Sequence, residues 1–291
     1  TGASGGIGSA VVSDLIAAGH EVVGLARSDA SARAVEDAGA IALRGDLTDP
    51  GSLRAGAAAA DGVIHLAFDS SDFGQAVAKE TLAVKTFGAA LEETGKALVI
   101  ASGTPAAAGR AATEEDPANT DGPLGAGPLG GRAANAQTVL GLAARGVRSA
   151  VVRLPRCVHA QGQRYGLASG LIAAARRTGV SGYVGDGSQR WPAVHRLDAA
   201  RLFRLTLEQA EPGTVAHAVA DEGVSLRAIA EVIGRGLGLP ARPVPADTFG
   251  LMGALVGVDQ PASSTLTRER FGWRPTGPGL LDDLEAGNYP A

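Results

Sequence analysis

Cysteine is nearly absent from this chain of 291 residues, and long apolar runs are missing altogether. Cys157 is the only cysteine, so no disulfide can form within the chain, and a reducing, cytoplasmic location is predicted. No apolar run reaches the roughly 18 residues that a membrane-spanning helix needs. The formal net charge is only -4, without a block of like charges, which argues against nucleic acid or an anionic membrane as the partner.

Lysine and tyrosine are also scarce, and their positions exclude a catalytic pair in which a lysine follows a tyrosine by four residues. Three of the 26 basic residues are lysines, namely Lys79, Lys85 and Lys96. The three tyrosines are Tyr165, Tyr183 and Tyr289. All of them follow the last lysine, so no Tyr-x-x-x-Lys pair can exist. The five histidines show no metal-ligand spacing, and no metal site is predicted.

What the first 150 residues do contain is a regular alternation of short apolar runs and helical patterns. Strands are predicted at 22–25, 40–43, 63–67, 97–100 and 150–154, and helices at 9–18, 31–38, 51–60, 75–94 and 132–145. Nearly continuous apolar strands that alternate with helices indicate a parallel sheet covered on both faces. The right-handed crossover rule then favours an α/β fold with a Rossmann-type doubly wound sheet.

The pattern weakens beyond Pro155, where helices are predicted at 167–177, 198–209 and 226–237 between Gly/Pro-rich loops. We expect a nucleotide-binding domain over residues 1–155 and a small mixed α/β cap over 156–291, with some segments of the cap returning to the first domain. Residues 105–131, rich in Gly, Ala and Pro, are predicted to form a long loop of the kind that is functional or mobile. A glycine turn at Thr1 needs a strand before it, so we expect the first strand to precede this residue.

The opening sequence TGASGGIG is typical of a phosphate-binding turn. Gly2, Gly5 and Gly8 would permit unusual backbone angles, close approach of a pyrophosphate and tight packing of helix on strand. A helix that follows at once would point its free N–H groups at the phosphates. The predicted dinucleotide contacts of this turn are Gly2, Ser4, Gly5, Gly6, Ile7 and Gly8.

The end of the second predicted strand selects the cofactor. NAD-specific sites place an acidic residue there for the ribose 2′-OH, whereas this strand ends in Arg27 and Ser28. A guanidinium and a hydroxyl suit a 2′-phosphate, so NADP(H) is favoured over NAD(H). Asp29 lies near enough to leave NAD(H) open.

These motifs together resemble the short-chain dehydrogenase/reductase superfamily, in its extended and atypical, epimerase-like branch. Residues 1–8 match TGxxGxxG, and further matches lie at 45–47, 65–67, 101–104, 153–155, 190–198 and 271–275. The resemblance implies that Asp46 and Leu47 contact the adenine. It also implies that Leu66 and Ala67 lie beside the cofactor and that Pro155 borders the nicotinamide.

The same resemblance shows where this chain departs from the family. Such enzymes use a Tyr-x-x-x-Lys pair to move a proton, and here the corresponding helix reads GGRAAN over 130–135. Arg132 stands near the lysine position, where it could hold the nicotinamide ribose. A guanidinium does not deprotonate at ordinary pH, so Arg132 cannot replace the proton relay.

Other residues must then manage the substrate and the proton. Thr104 or Ser102 would polarise a carbonyl, while His159 or Tyr165 would act as proton donor, unless His159 is a hydrogen-bonded loop histidine. The predicted substrate-binding residues are Tyr183, Arg190 and Trp191. For Arg190 a salt bridge within the cap is an equal alternative, Trp191 could instead pack the domain joint, and Cys157 is expected to be a small buried side chain.

The leading hypothesis is an NADPH-dependent reductase or dehydrogenase that acts on a carbonyl or imine of a small, mostly apolar molecule. An isomerase or cyclase without net redox chemistry, and a non-catalytic NADP-sensing binding protein, are the alternatives. The expected partner is a small-molecule substrate, with no nucleic acid and no membrane. Alanine-rich helices at 75–94 and 132–145 would permit a homodimer.

Overall fold

The computed structural model describes residues 1–69, 72–119, 122–125, 127–162 and 166–287. These residues divide into two compact units. The first consists of Thr1–Ser102, Gly125–Arg153 and Ala200–Ala216, and the second of Gly103–Leu124, Leu154–Ala199 and His217–Ala291. The predicted division at residues 155 and 156 stays a prediction.

Helices and strands alternate along the first part of the chain. Their order is α1 (Gly6–Ala17), β1 (Val23–Ala26), α2 (Asp29–Asp37), β2 (Ile41–Arg44), α3 (Pro50–Ala59), β3 (Gly62–His65), α4 (Phe73–Leu91), β4 (Ala97–Gly103), α5 (Gly122–Gly125), α6 (Gly127–Gly141) and β5 (Arg148–Leu154). The later elements are β6 (Cys157–His159), α7 (Gly166–Thr178), β7 (Ser181–Tyr183), β8 (Arg190–His195), α8 (Arg196–Gln209), β9 (Thr214–His217), β10 (Asp221–Ser225), α9 (Leu226–Leu237), β11 (Ala241–Pro243), α10 (Gly253–Val256), α11 (Thr265–Phe271) and α12 (Leu280–Glu285).

Two sets of strands form the sheets of the first unit. Strand β1 pairs with β2 in parallel, and β3 pairs with β4 in parallel within a sheet of order β3-β4-β5-β9. A cavity of about 440 Å³ is lined by residues of both β1 and β3. The Thr1 amine donates to the Ile64 carbonyl at 2.7 Å, and the Leu66 amide donates to the Thr1 carbonyl at 3.2 Å. Thr1 thus continues the pairing along β3, and the strand expected before Thr1 stays a prediction.

Local signals explain where the helices of the first unit begin. Asp49 caps α3 by accepting from the Gly51 amide, and Pro50 occupies the first helical position. Asp72 caps α4 in the same way. Apolar side chains of these helices pack with those of the sheet in one core, which includes Leu53, Val84, Phe87, Leu91 and Val139 from the helices and Leu98, Ile100 and Val151 from the strands.

The second unit is a mixed α/β structure. Its three-stranded sheet has the order β10-β8-β6, in which β8 runs antiparallel to β10 and parallel to β6. Strands β7 and β11 form a separate parallel pair. Side chains of α7 and α9 pack in a core with the fully buried Trp191.

The predicted fold class is confirmed, and the differences lie in its details. Helix α6 begins at Gly127, so part of the region expected to be a long loop is helical. The strands of the second unit are three to six residues long, too short to give a periodic signal, and were not predicted. Among the described residues, no helix is both long and apolar enough to cross a bilayer.

Candidate dinucleotide site

The glycine turn at the start of the chain is closed by contacts that leave no room for side chains. Gly2 has a φ of +76°, and a Cβ there would lie 2.7 Å from the Ala67 amide nitrogen. A Cβ on Gly8 would lie 1.9 Å from the Gly2 carbonyl oxygen. The Gly5 amide donates to that same oxygen at 2.9 Å. The turn therefore requires glycine for the steric reasons expected of a pyrophosphate-binding loop.

Helix α1 follows this turn without a side-chain cap. Its N-cap residue is Gly5, which offers no side-chain acceptor to the first-turn amides. These amides, on Gly6, Ile7 and Gly8, begin the helix and are free to face an anion. The arrangement suits the pyrophosphate of a dinucleotide.

A cavity of about 360 Å³ opens beside the turn. The predicted cofactor residues that line it are Gly2, Ser4, Gly5, Arg27, Asp46, Leu47, Leu66 and Ala67. Thr1, Leu25, Ser31, Gly45, Phe68, Asp69, Ala76 and Lys79 complete the lining and were not predicted to bind the cofactor. The turn, the ends of strands β1, β2 and β3, and one face of α4 thus meet around a single space.

Two cations line this cavity without forming an ion pair. The side chains of Arg27 and Lys79 make no salt bridge or hydrogen bond with the described part of the chain. The carboxylate of Asp29 is paired instead with Arg44, at 2.9 Å. The Ser28 hydroxyl accepts from the Ser31 amide at 3.2 Å and caps α2. Arg27 and Lys79 are therefore both available to an anionic ligand.

Asp46 is a carboxylate held in its ionised form. Its Oδ1 accepts from the Thr48 amide at 2.8 Å and from the Thr48 hydroxyl at 2.7 Å. These hydrogen bonds lower the pKa of Asp46, burial opposes them, and the charges of Lys79 and Arg27 lower it further. An ionised carboxylate at this point of the cavity is an acceptor for an amino group such as that of adenine.

On α6, where the family carries its tyrosine and lysine, the first unit has a closed polar network. Arg132 donates to Glu80 at 3.1 Å and to the Ala101 carbonyl at 3.0 Å, and its guanidinium lies 4.1 Å from the centre of the Phe68 ring. Asn135 donates to the other Glu80 oxygen at 3.0 Å. Glu80 is buried, and sequence reasoning missed it because its partners lie more than 50 residues away. The network fixes Arg132 beside the ring of Phe68, which lines the cavity next to the glycine turn.

His65 ends β3 with its imidazole buried against Phe87, at 5.6 Å between ring centres. Its Nδ1 lies 2.6 Å from the Thr1 hydroxyl, and its Nε2 is buried without a partner among the described residues. Burial, followed by nearby positive charge, lowers the pKa of His65 to about 3. The imidazole therefore stays neutral in the folded protein at neutral and mildly acidic pH.

This neutral imidazole should make stability depend on pH. Between pH 6.5 and about 3 the unfolded chain binds a proton at His65 that the folded chain does not. The free energy of unfolding should therefore decrease by about 1.4 kcal/mol for each unit by which the pH is lowered within this window. We expect His65→Asn, measured by urea unfolding at about pH 6 and about pH 4.5, to remove this contribution to the slope. His20→Asn, at a partly exposed histidine paired with Glu208, is the control; an unchanged slope in His65→Asn would contradict the assignment.

Ser102 and Thr104, the predicted carbonyl-polarising residues, are both buried. Ser102 belongs to the first unit and Thr104 to the second. Within the second unit, the Thr104 amide donates to the Leu154 carbonyl at 3.0 Å, and the Gln260 side-chain amide donates to the Thr104 carbonyl. Pro155 is buried next to Leu154. Gln260 was not predicted, because it lies 156 residues from Thr104 in sequence.

His159, the predicted proton donor, forms a buried pair with an aspartate. Its Nδ1 lies 2.7 Å from Asp283 Oδ2, and the His195 ring packs edge-on at 5.6 Å. The Nε2 atom is buried and has no partner among the described residues. Because an ionised carboxylate only accepts, Asp283 places the proton of the neutral imidazole on Nδ1. Tyr165 lies outside the described residues.

The predicted substrate residues differ in their surroundings within the second unit. Arg190 pairs with Asp259 at 2.8 Å, so the predicted alternative of a salt bridge within the cap is the one observed. Trp191 is fully buried. Tyr183 is buried with the Arg227 guanidinium 5.2 Å from its ring centre. The surroundings of Arg190, Trp191 and Tyr183 therefore give no support for substrate binding by these residues.

Cys157 is buried, as expected from its sequence context. Burial raises the pKa of its thiol to about 12, so the thiolate is not formed at neutral pH. In the part of the chain that the structure describes, no group of three or more His, Cys, Asp and Glu side chains could hold a metal ion.

Comparison with known proteins agrees with this geometry. A family model described as the NAD dependent epimerase/dehydratase family matches residues 1–219. The Saccharomyces cerevisiae protein YLL056C is 42% identical over 298 residues, which cover 99% of this chain and 97% of that protein. The Schizosaccharomyces pombe protein C2A9.02 is 39% identical over 295 residues, which cover 99% of this chain and 98% of the relative.

A solved structure extends the comparison to the fold. The double mutant of DesIV, the dTDP-glucose 4,6-dehydratase from Streptomyces venezuelae, matches with a TM-score of 0.79 at 19% identity. The match covers 98% of this chain and 94% of the dehydratase chain. The resemblance to the extended, epimerase-like branch of the short-chain dehydrogenases is confirmed, and the chain belongs to the NAD dependent epimerase/dehydratase family.

Proposed function

We propose that this protein is an NADPH-dependent reductase, or reversible dehydrogenase, that acts on a carbonyl or imine of a small molecule. The observation that carries the proposal is the cavity of about 360 Å³ beside the glycine turn, in whose wall the Arg27 and Lys79 side chains have no partner among the described residues. A cofactor with an additional phosphate would satisfy both cations. The structure of the Streptomyces venezuelae dehydratase contains bound NAD, which supports a nicotinamide dinucleotide as the class of cofactor.

The residues present fit this cofactor by steric criteria. The glycine turn would receive the pyrophosphate, because a Cβ on Gly2 or Gly8 would collide with backbone atoms of the turn and β3. Asp46 would accept from the adenine, while Arg27 and Lys79 would hold the 2′-phosphate. Arg132, fixed by Glu80, would hold the nicotinamide ribose. The bound cofactor would supply the hydride, and the chain must orient the substrate and manage a proton.

For the proton we propose His159, held by Asp283, in place of the missing Tyr-x-x-x-Lys pair. The pair resembles the His–Asp arrangement of hydrolases, in which the carboxylate fixes the tautomer and orientation of the ring. With Nδ1 committed to Asp283, proton transfer would take place at Nε2. Thr104 and Ser102 would polarise the carbonyl or imine. Tyr165 remains a second candidate proton donor.

The proposal is tested by following oxidation of NADPH with a panel of ketones and imines. We expect turnover with at least one substrate, faster with NADPH than with NADH. We expect His159→Gln to lower kcat by about 100-fold or more while NADPH affinity is unchanged, because general acid catalysis is worth about 10²–10⁴-fold. Tight NADPH binding without turnover of any substrate would overturn the reductase and favour the NADP-sensing protein.

A second candidate is an isomerase or cyclase without net redox chemistry. The closed network of Glu80, Arg132 and Asn135, on the helix that carries the proton relay in the family, favours it. Product that forms with no net change in the nicotinamide absorbance, and without consumption of added NADPH, would support this function instead. A cytoplasmic location and a homodimer through α4 and α6 are further proposals.

A further inference from the structure

The second unit contains a guanidinium that has no counter-ion among the residues that the structure describes. Arg156 directly precedes β6, and its Nη2 donates to the side-chain oxygen of Gln260. The Gln260 amide in turn donates to the Thr104 carbonyl. The guanidinium carbon lies 5.5 Å from the centre of the fully buried Trp191 ring. Arg156 is thus fixed by a neutral amide and an aromatic face.

Two donors at the contact between Arg156 and Trp191 are unsatisfied within the described part of the chain. The Arg156 Nε and the Trp191 Nε1 are buried and have no hydrogen-bond partner among the described residues. Arg156 forms no ion pair with any carboxylate in the described ranges. The adjacent Cys157 thiol is neutral, because burial raises its pKa to about 12. Nothing described in the second unit therefore compensates the charge.

Such an arrangement is unfavourable without a ligand. A charge removed from water needs a partner and hydrogen bonds, and burial accordingly lowers the pKa of Arg156 to about 10. Arg190 provides the contrast, since it lies at the surface and is paired with Asp259. Of the two arginines, Arg156 is the one without an anionic partner in the described ranges.

We propose that Arg156 is the anchor for an oxyanion group, a carboxylate or a phosphate, on the small-molecule substrate. The guanidinium would bind two oxygens of this group through parallel N–H donors, while Gln260 holds its orientation. The substrate is then an anionic molecule rather than a mostly apolar one. This assignment rests on the proposed function only in taking the ligand to be the substrate of that reaction.

The test compares Arg156→Met with Arg190→Met, which removes a paired guanidinium from the same unit. Thermal unfolding is followed in sodium acetate, in sodium phosphate and in sodium chloride at matched ionic strength. Acetate, phosphate or both should raise the melting temperature of the wild type above its value in chloride. Arg190→Met should retain this rise and Arg156→Met should lose it, with an apparent anion affinity weaker by about tenfold or more.

The melting temperature in chloride alone separates an anchor from a structural role, because a structural Arg156 would stabilise the fold and its loss would lower that temperature. If Arg156 is an uncompensated anchor, Arg156→Met should melt at or above the wild-type temperature, because the substitution removes the desolvation cost of a largely buried charge. A fall of several degrees in chloride, or an anion response that does not depend on Arg156, would overturn the proposal. Arg156→Lys, which keeps a cation without the two-pronged donor, should bind with intermediate affinity and serves if Arg156→Met does not fold.

NADPH titration of the same proteins separates this inference from the proposed function. Arg156→Met should bind NADPH with wild-type affinity. If the wild type binds no nicotinamide nucleotide but still shows the Arg156-dependent anion response, the proposed function is refuted and the anchor is supported. Normal NADPH binding without that response would refute the anchor alone.

Discussion

Gly2→Ala is expected to weaken NADPH binding by about 100-fold or more. Gly2 has a φ of +76°, in the left-handed region that costs an L-residue about 1–2 kcal/mol. The new Cβ would in addition lie 2.7 Å from the Ala67 amide nitrogen and 2.8 Å from the Leu66 carbonyl carbon. Both neighbours are backbone atoms and cannot move aside as a flexible side chain could. The turn must therefore shift, and its amides would no longer converge on the pyrophosphate.

Gly19→Ala is the matched control for this variant. Gly19 has a φ of +91°, so alanine there introduces similar backbone strain, but nothing lies within 4 Å of the added Cβ. Fluorescence titration with NADPH should find wild-type affinity in Gly19→Ala, and circular dichroism should confirm that both variants fold. An affinity of Gly2→Ala within about threefold of the wild type would show that the turn does not hold the dinucleotide.

The double substitution Arg27→Ala with Lys79→Ala should remove the preference for NADPH. A charge-assisted hydrogen bond contributes about 1.5–3 kcal/mol, and solvent screening at these partly exposed positions places each loss near the lower end. We expect NADPH affinity to fall by about tenfold for each cation removed, with NADH affinity little changed. The dissociation constants of both cofactors, measured at two salt concentrations, provide the comparison.

Lys85→Ala controls for the loss of a positive charge from α4. Lys85 is on the same helix but is exposed and does not line the cavity, so neither affinity should change by more than about twofold. If the affinity of the double variant falls equally for NADPH and NADH, the two cations bind a part of the molecule that both cofactors share, and the assignment to the 2′-phosphate is wrong. If Lys79→Ala alone has no effect, Arg27 carries the preference by itself.

Local sequence signals were sufficient to predict the glycine turn and the strand ends. Gly2 and Gly8 are specified by steric needs within a few residues, and Arg27 and Asp46 follow strands whose parallel order brings their ends to one edge. Lys79 could not be placed in this way. Which face of α4 turns toward the cavity is decided by packing against the sheet, and the residue next to Lys79 is buried on another face.

The partners of the catalytic candidates were beyond sequence reasoning for a different reason. Asp283 is 124 residues from His159, and Gln260 is 104 residues from Arg156. Short strands and irregular loops connect these positions, and no periodicity predicts how they return to one another. Arg156 itself was overlooked because an arginine beside a strand is ordinarily solvated. What distinguishes it is a buried Nε without a partner among the described residues, on a side chain that is only partly exposed.

The burial of Cys157 has a consequence for how the protein tolerates oxidative stress. Peroxides and alkylating reagents react with thiolates, and this sulfur is both shielded from solvent and held protonated. With no second cysteine in the sequence, no resolving thiol exists to form an internal disulfide. A change in the thiol–disulfide balance of the surroundings should therefore leave Cys157 reduced for as long as the protein stays folded.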